Sequence, residues 1–398
     1  MEELYKQIAA YEGQEITEAV DRILDDPEFA RWLYGTTSKR LPKVVRALIR
    51  ARLKHSDNPR KVVDRYLVYP FMRQTKRASI RKLEITGMEN LEHTVNGKPH
   101  GQLFLTNHRD IILDAALLAF LLDDKTGLRL YIGVGNNLFG KQWIEDLMRT
   151  CGCFAVIRNG NPRDLLDNSA ALSAYIADRQ HEGRSLWLAQ REGRAKDGDD
   201  RTQPALLKML TLSGKGSIFE ELKKLHITPV SISYEYDPCD YLKARELQLK
   251  RDMPDYVKST MEDMQSMQVG LCEMKGEVTY TVTPCINDEL DELAKTAADL
   301  PRNEQLRLCA ELIDKHIFQG YKLAWTNFAA KEMLDGYEDE KFEIYLQDQI
   351  EKIKMPKGVE KDIPFLRNCI LELYANPAIN QQKSFEFIGD KKEEEGSK

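Results

Sequence analysis

Thr106-Asn107-His108-Arg109-Asp110-Ile111-Ile112-Leu113-Asp114 is a polar knot between two apolar runs. Before it, Leu103-Phe104-Leu105 reads as a short buried strand; after it, Ala115 to Leu122 reads as a buried helix. A strand handing over to a helix through Asn, His, Arg and Asp is the kind of joint at which α/β proteins expose reacting groups.

Working outward, the strand–helix alternation continues in both directions. Leu83 to Thr86, Leu128 to Val134, Cys153 to Ile157, Ser185 to Leu188 and Ile227 to Tyr236 read as strands. Trp143 to Arg149, Leu165 to Arg179 and Leu206 to Leu212 read as the helices between them. Glu277 to Thr283 alternates cleanly and is expected to form an edge strand. The fold class expected is therefore α/β, a mixed but mostly parallel sheet flanked by helices. Residues 1–82 carry helix-like apolar spacing over Ile16 to Leu24, Phe29 to Tyr34 and Leu41 to Leu53, and are expected to form an N-terminal helical basic region. Residues 83–286 form the expected α/β domain, 287–390 a C-terminal helical extension, and the polar 391–398 a disordered tail. Met253, Met261, Met264 and Met267 fall near helix spacing and are expected in the core, although a flexible Met-lined surface also suits an acyl chain. Ile317, Tyr321, Trp325 and Phe328 recur at four, four and three, as one amphipathic helical face packing on the domain.

A chain of 398 residues with 31% charged and 42% hydrophobic residues suits a soluble globular protein with two or three structural units. Met1 to Lys6 lacks the pattern of a secretory signal, and Ala115 to Leu122 is far short of the roughly 20 residues that span a bilayer. Seven cysteines without framework spacing suit reduced thiols in the cytoplasm. The net charge is −6, yet Lys39 to Lys82 holds fifteen Lys or Arg against Asp57 and Asp64, a local excess of thirteen positive charges that leaves the remainder at −19. Such asymmetry points to an anionic partner: a phospholipid surface, an acidic carrier protein or nucleic acid. No nucleic-acid motif accompanies the charges, so the membrane surface is favoured and nucleic acid is not expected as a partner. Peripheral attachment to the inner, cytoplasmic face of the membrane is the expected location.

Further polar clusters follow successive strands: Arg158 after Gly152 to Ile157, and Arg191-Glu192-Gly193-Arg194 after Leu186-Trp187-Leu188, with Pro229 leading Val230-Ser231-Ile232. Arginines hold phosphate bidentately, and imidazole is the usual general base near neutral pH. His108-x-Asp110 lacks a further close His or Cys cluster, so no metal is expected.

This ordered set resembles the glycerophospholipid acyltransferases, the family of glycerol-3-phosphate and lysophosphatidic acid acyltransferases. The resemblance rests on Asn107-His108-Arg109 with a following Asp, Gly152 to Arg158, Glu192-Gly193-Arg194 and Thr228-Pro229-Val230, and covers residues 83 to 286. Gly133-Val134-Gly135-Asn136-Asn137-Leu138 also resembles a stretch of the glycerol-3-phosphate branch, and Gly276 to Pro284 resembles the strand that commonly closes the domain. The family places its Asp five residues after His; here that position is Leu113, and the candidates are Asp110 and Asp114. Asp114 is favoured, because it interrupts an apolar face and needs a partner when buried, whereas Asp110 beside Arg109 is expected to be exposed. The third motif also lacks the usual lead, reading Ala189-Gln190-Arg191.

The resemblance implies direct acyl transfer, with His108 and Asp114 catalytic. Arg109, Arg158, Glu192, Gly193 and Arg194 would bind substrate, with Lys196 as a helper and Glu192 equally suited to anchoring its loop. It implies no cofactor beyond an acyl-coenzyme A or acyl carrier protein thioester as co-substrate. A lysophosphatidic acid acceptor in phospholipid biosynthesis is favoured over glycerol 3-phosphate and a lyso-aminolipid. The non-enzyme alternative is a basic nucleic-acid or membrane binding module.

Overall fold

The computed structural model describes residues 2–34, 43–91, 94–95, 98–158 and 160–395. Seven strands form one sheet: β1 (Lys82–Thr86), β2 (Leu103–Thr106), β3 (Leu130–Gly135), β4 (Cys153–Val156), β5 (Ser185–Ala189), β6 (Ile227–Tyr234) and β7 (Glu277–Val282). Their spatial order is β1-β7-β6-β2-β5-β3-β4. Neighbours are parallel except β6 and β7, so β1 and β7 run together against the other five. The mixed, mostly parallel sheet is thus as expected. The edge assignment is not: β7 lies inside, and the short, half-exposed β1 covers its flank.

Side-chain alternation explains why both faces are apolar. Leu103, Leu105, Leu186, Leu188 and Ile227 point to one core, shared with helices Pro162–His181, Pro204–Leu210, Ile218–Lys224, Asn287–Ala297 and Arg302–Gly320. Phe104, Trp187, Val230, Ile232 and Tyr280 point to the other, covered by helices Leu113–Thr126 and Tyr69–Ser79. Strands buried on both faces read as continuous apolar runs, which is why they were recognisable. Two smaller helical cores flank the sheet. One gathers Ile16, Ile23, Phe29, Ile49 and Val63 of the N-terminal helices; the other gathers Ala244, Phe342, Leu346, Leu366 and Tyr374.

Several sequence expectations change in three dimensions. Met253, Met261 and Met264 are 39%, 72% and 46% exposed, so that stripe lies on the surface rather than in the core. The Ile317-to-Phe328 repeat crosses a break: one helix ends at Gly320, another begins at Trp325, and Phe328 is half exposed. The last helix runs through Glu395, five residues into the stretch expected to lack structure, and residues 396–398 lie outside the described ones.

The basic N-terminal region is partly neutralised. Arg46 and Arg50 pair with Asp25 and Asp21, Arg81 with Glu235, and Lys82 with Glu84, while Arg60 donates to the carbonyls of Leu130 and Cys151. Lys39 and Arg40 lie outside the described residues. Lys43, Arg52, Lys54, Lys61, Arg65, Arg73, Lys76 and Arg77 remain exposed and form no ion pair among the described residues. Exposed Val44 and Leu48 lie one helical turn apart on the helix Lys43–Lys54.

Candidate active site

β2 ends at Thr106, and residues 107–112 wrap around one carboxylate. Asp114 Oδ2 accepts from the backbone N–H of Arg109 at 2.6 Å and of Asp110 at 2.9 Å, and contacts His108 Nδ1 at 2.9 Å. Its Oδ1 accepts from Tyr234 Oη at 2.9 Å. A carboxylate accepts, so Nδ1 is the donor of this contact, and in the neutral imidazole the lone pair then sits on Nε2. The Asp114 side chain is 1% exposed and that of His108 15%, so the orienting group is dry while the imidazole still meets the surface. Burial, reinforced by the Asp114 charge, pushes the Tyr234 hydroxyl well above its ordinary pKa and keeps it a donor.

The six-residue spacing from His to Asp works because the helix starts late, at Leu113. Asp110 supplies the start, with Oδ1 accepting from the N–H groups of Ile112 at 2.8 Å and Leu113 at 2.7 Å. It was expected at the surface; instead it is 1% exposed, and burial followed by the Asp114 charge raises its pKa.

His108 is held from both sides. Asn107 exchanges two hydrogen bonds with the backbone of Ile232 in β6, at 2.9 and 2.7 Å, extending the strand pairing by a side chain. The His108 carbonyl accepts from Ala195 N at 3.0 Å, and its N–H donates to Asp200, a wholly buried residue whose pKa burial raises. Asp200 and Ala195 belong to the loop after β5, so the first motif is joined to the loop that carries the third.

The other expected site residues divide. Arg158, at the exit of β4, is partly exposed and reaches Glu192 at 3.5 Å. Glu192 is 67% exposed, with its backbone N–H bound to Gln203 Oε1. Gly193 adopts a φ of 70°, which suits glycine at this turn. Arg194 is nearly buried, with Nη1 unpaired among the described residues, and Arg191 reaches Asp200 at 3.9 Å. Arg109 does not face outward: its side chain is 7% exposed and its Nε meets Asp237 at 2.6 Å. Lys196 is engaged by Glu246 at 3.1 Å, and burial lowers its pKa. Pro229 is not at a strand end but inside β6, opposite Leu105, where its carbonyl accepts from Thr283.

An imidazole oriented through Nδ1 by a buried carboxylate, with its other nitrogen left available, is a group able to take a proton from a hydroxyl. Residues 82–233, from β1 to the penultimate residue of β6, match the family model described as Acyltransferase. The chain therefore carries an acyltransferase domain and is an enzyme that transfers acyl groups. No curated protein matches the chain.

Asp200, Tyr234 and Asn107 were not assigned roles from the sequence. Tyr234 had a signal: a hydroxyl in an otherwise apolar buried strand needs a partner. The acidic turn Asp197-Gly198-Asp199-Asp200 had none, because it resembles any exposed turn.

The same loop makes a pH-dependent contact. Thr202 N donates to Asp314 at 2.7 Å, and burial pushes the Asp314 carboxyl up to about 7. In the unfolded chain it ionises near about 3.9. Between those values only the unfolded state releases the proton, so stability falls as pH rises from about 4 to about 7 and levels off above. Asp314→Asn should gain up to about 4 kcal/mol at pH 8 and nothing at pH 4. Urea melts at both pH values check this; equal gains at both would contradict it.

Proposed function

We propose that the protein moves a fatty acyl group from an acyl thioester to the free hydroxyl of a lysophosphatidic acid-type acceptor, 1-acyl-sn-glycerol 3-phosphate. The observation that carries this reading is the His108 Nδ1–Asp114 contact, which leaves Nε2 as the base. His108 removes the hydroxyl proton as the oxygen attacks the thioester carbonyl; the tetrahedral intermediate expels the thiolate, which takes up the proton. No acyl-enzyme is required. Arg158 and Arg194 bind the acceptor phosphate, and the partly exposed Arg191 is a third guanidinium available to it. The thioester is carried by coenzyme A or acyl carrier protein.

No described helix is long and apolar enough to cross a membrane. Peripheral attachment to an anionic bilayer is supported by the eight unpaired cations and by Val44 and Leu48. Binding to anionic vesicles should weaken steeply between low and high salt, and DNA should not compete. Equal sedimentation with neutral and anionic vesicles would contradict this.

The deciding assay is transfer from labelled acyl thioester to lysophosphatidic acid, glycerol 3-phosphate and a lyso-aminolipid. Turnover with lysophosphatidic acid alone upholds the reading. Preference for glycerol 3-phosphate reassigns the acceptor, and turnover with none sinks it.

A further inference from the structure

Arg109 follows the candidate base, yet its guanidinium lies in a buried charge cluster. Its Nε meets Asp237 Oδ2 at 2.6 Å, and Asp237 Oδ1 also receives Lys243 Nζ. The Asp237 and Lys243 side chains are 2% and 1% exposed, so the three groups depend on one another. A buried ion pair of this kind is weak evidence for stability, since apolar replacements often do as well. What distinguishes this one is where it leads.

Arg109 Nη2 donates to the Leu373 carbonyl at 3.2 Å. Leu373 lies in the helix Ile363–Glu395, and four residues later stands Pro377, which has no N–H to close the helical bond. Proline thus opens the helix at the carbonyl that receives Arg109. The same turns grip the loop that fixes His108 from the other side. Asn376 Nδ2 donates to the Asp197 carbonyl at 2.7 Å, and Asn380 Nδ2 to Asp199 at 2.8 Å. Gly198, at φ 77°, lies so close that a Cβ would stand 2.3 Å from the Leu373 oxygen. That loop carries Asp200, the acceptor for the His108 N–H.

We propose that Asp237 and Pro377 are positioning residues for acyl transfer: Asp237 clamps Arg109 against the carbonyl that Pro377 leaves open, and this sets the backbone from which His108 projects. The inference rests on the reading of His108 as the base. It assigns a task to a helix that lies outside residues 82–233.

The test compares wild type with Asp237→Asn, Asp237→Glu and Pro377→Ala. The readouts are thermal melting, steady-state transfer from acyl-coenzyme A to lysophosphatidic acid, and the NMR resonance of the His108 Nδ1 proton. Pro377→Ala restores a helical donor to Leu373, so it should melt no lower than wild type. Its kcat should nevertheless fall about tenfold with KM little changed, because displacement of a reacting group by a fraction of an ångström suffices. Its Nδ1 resonance should shift. Asp237→Asn should lose more and Asp237→Glu should recover part of it; if the Asn variant does not fold, Pro377→Ala carries the test. Wild-type kcat and an unmoved Nδ1 resonance in Pro377→Ala would overturn the proposal. A wild type that transfers no acyl group would instead refute the reading of His108, and the Nδ1 resonance would still decide the positioning role.

Discussion

His108→Ala is expected to lower acyl transfer by about 10²- to 10⁴-fold while leaving the melting temperature near that of wild type. Positioned base catalysis supplies a factor of that size, and His108 is the one member of the contact that still meets the surface. Asp114→Ala should differ in kind. It removes the acceptor shared by His108, Tyr234 and the N–H groups of Arg109 and Asp110, all in a dry setting. Buried donors left unsatisfied cost about 1–3 kcal/mol each, so this variant should lose stability as well as rate. Denaturant melts beside the transfer assay separate the two. A His108→Ala enzyme within twofold of wild type would remove His108 from the mechanism.

Gly270→Ala sets two effects of opposite sign against each other. Gly270 lies in the helix Thr260–Cys272, where alanine is ordinarily preferred by about 1 kcal/mol. A Cβ at this position, however, would stand 2.2 Å from Asp110 Oδ2. Asp110 cannot withdraw, because it is short, buried and committed to the first turn of Leu113–Thr126. Overpacking costs about 1–3 kcal/mol, and a disturbed cap about 0.5–2 kcal/mol more, so the variant should be less stable despite its helix propensity. Because the Asp110 N–H also binds Asp114, transfer should fall with stability. Chemical denaturation and initial rates measure both. A gain in stability would mean that the carboxylate has room to move.

The sheet was legible because its central strands are buried on both faces and read as short apolar runs bounded by Gly, Asn and charged residues. The His108–Asp114 pairing was legible for an equally simple reason: a carboxylate among Leu and Ala needs a partner. Asp110 misled because a carboxylate beside an arginine suggests a surface pair, and Arg109 because its place in the motif suggests a substrate contact. In the fold one is consumed as a helix cap and the other by Asp237, whose approach depends on a chain reversal 128 residues away. The basic region misled in part for the same reason, since Asp21 and Asp25 lie outside it in sequence and against it in space. Pairing of β7 inside the sheet was hidden because alternation reports how much of a strand is buried, not which neighbour it has.

The helix Arg302–Gly320 lies across β6, placing Cys309, Ile313 and Ile317 in the same core as Leu103 and Leu186. Ser231 donates to the Ile317 carbonyl, and Gly320 abuts the Ser231 side chain with no space for a Cβ. A fragment cut after β7 would therefore not be a smaller enzyme but a partly unroofed one, with the share of this apolar face that Asn287–Ala297 and Arg302–Gly320 cover opened to water. Limited proteolysis should yield no persistent core that ends before this helix, and shortened versions of the chain should be recovered only when they reach beyond Gly320.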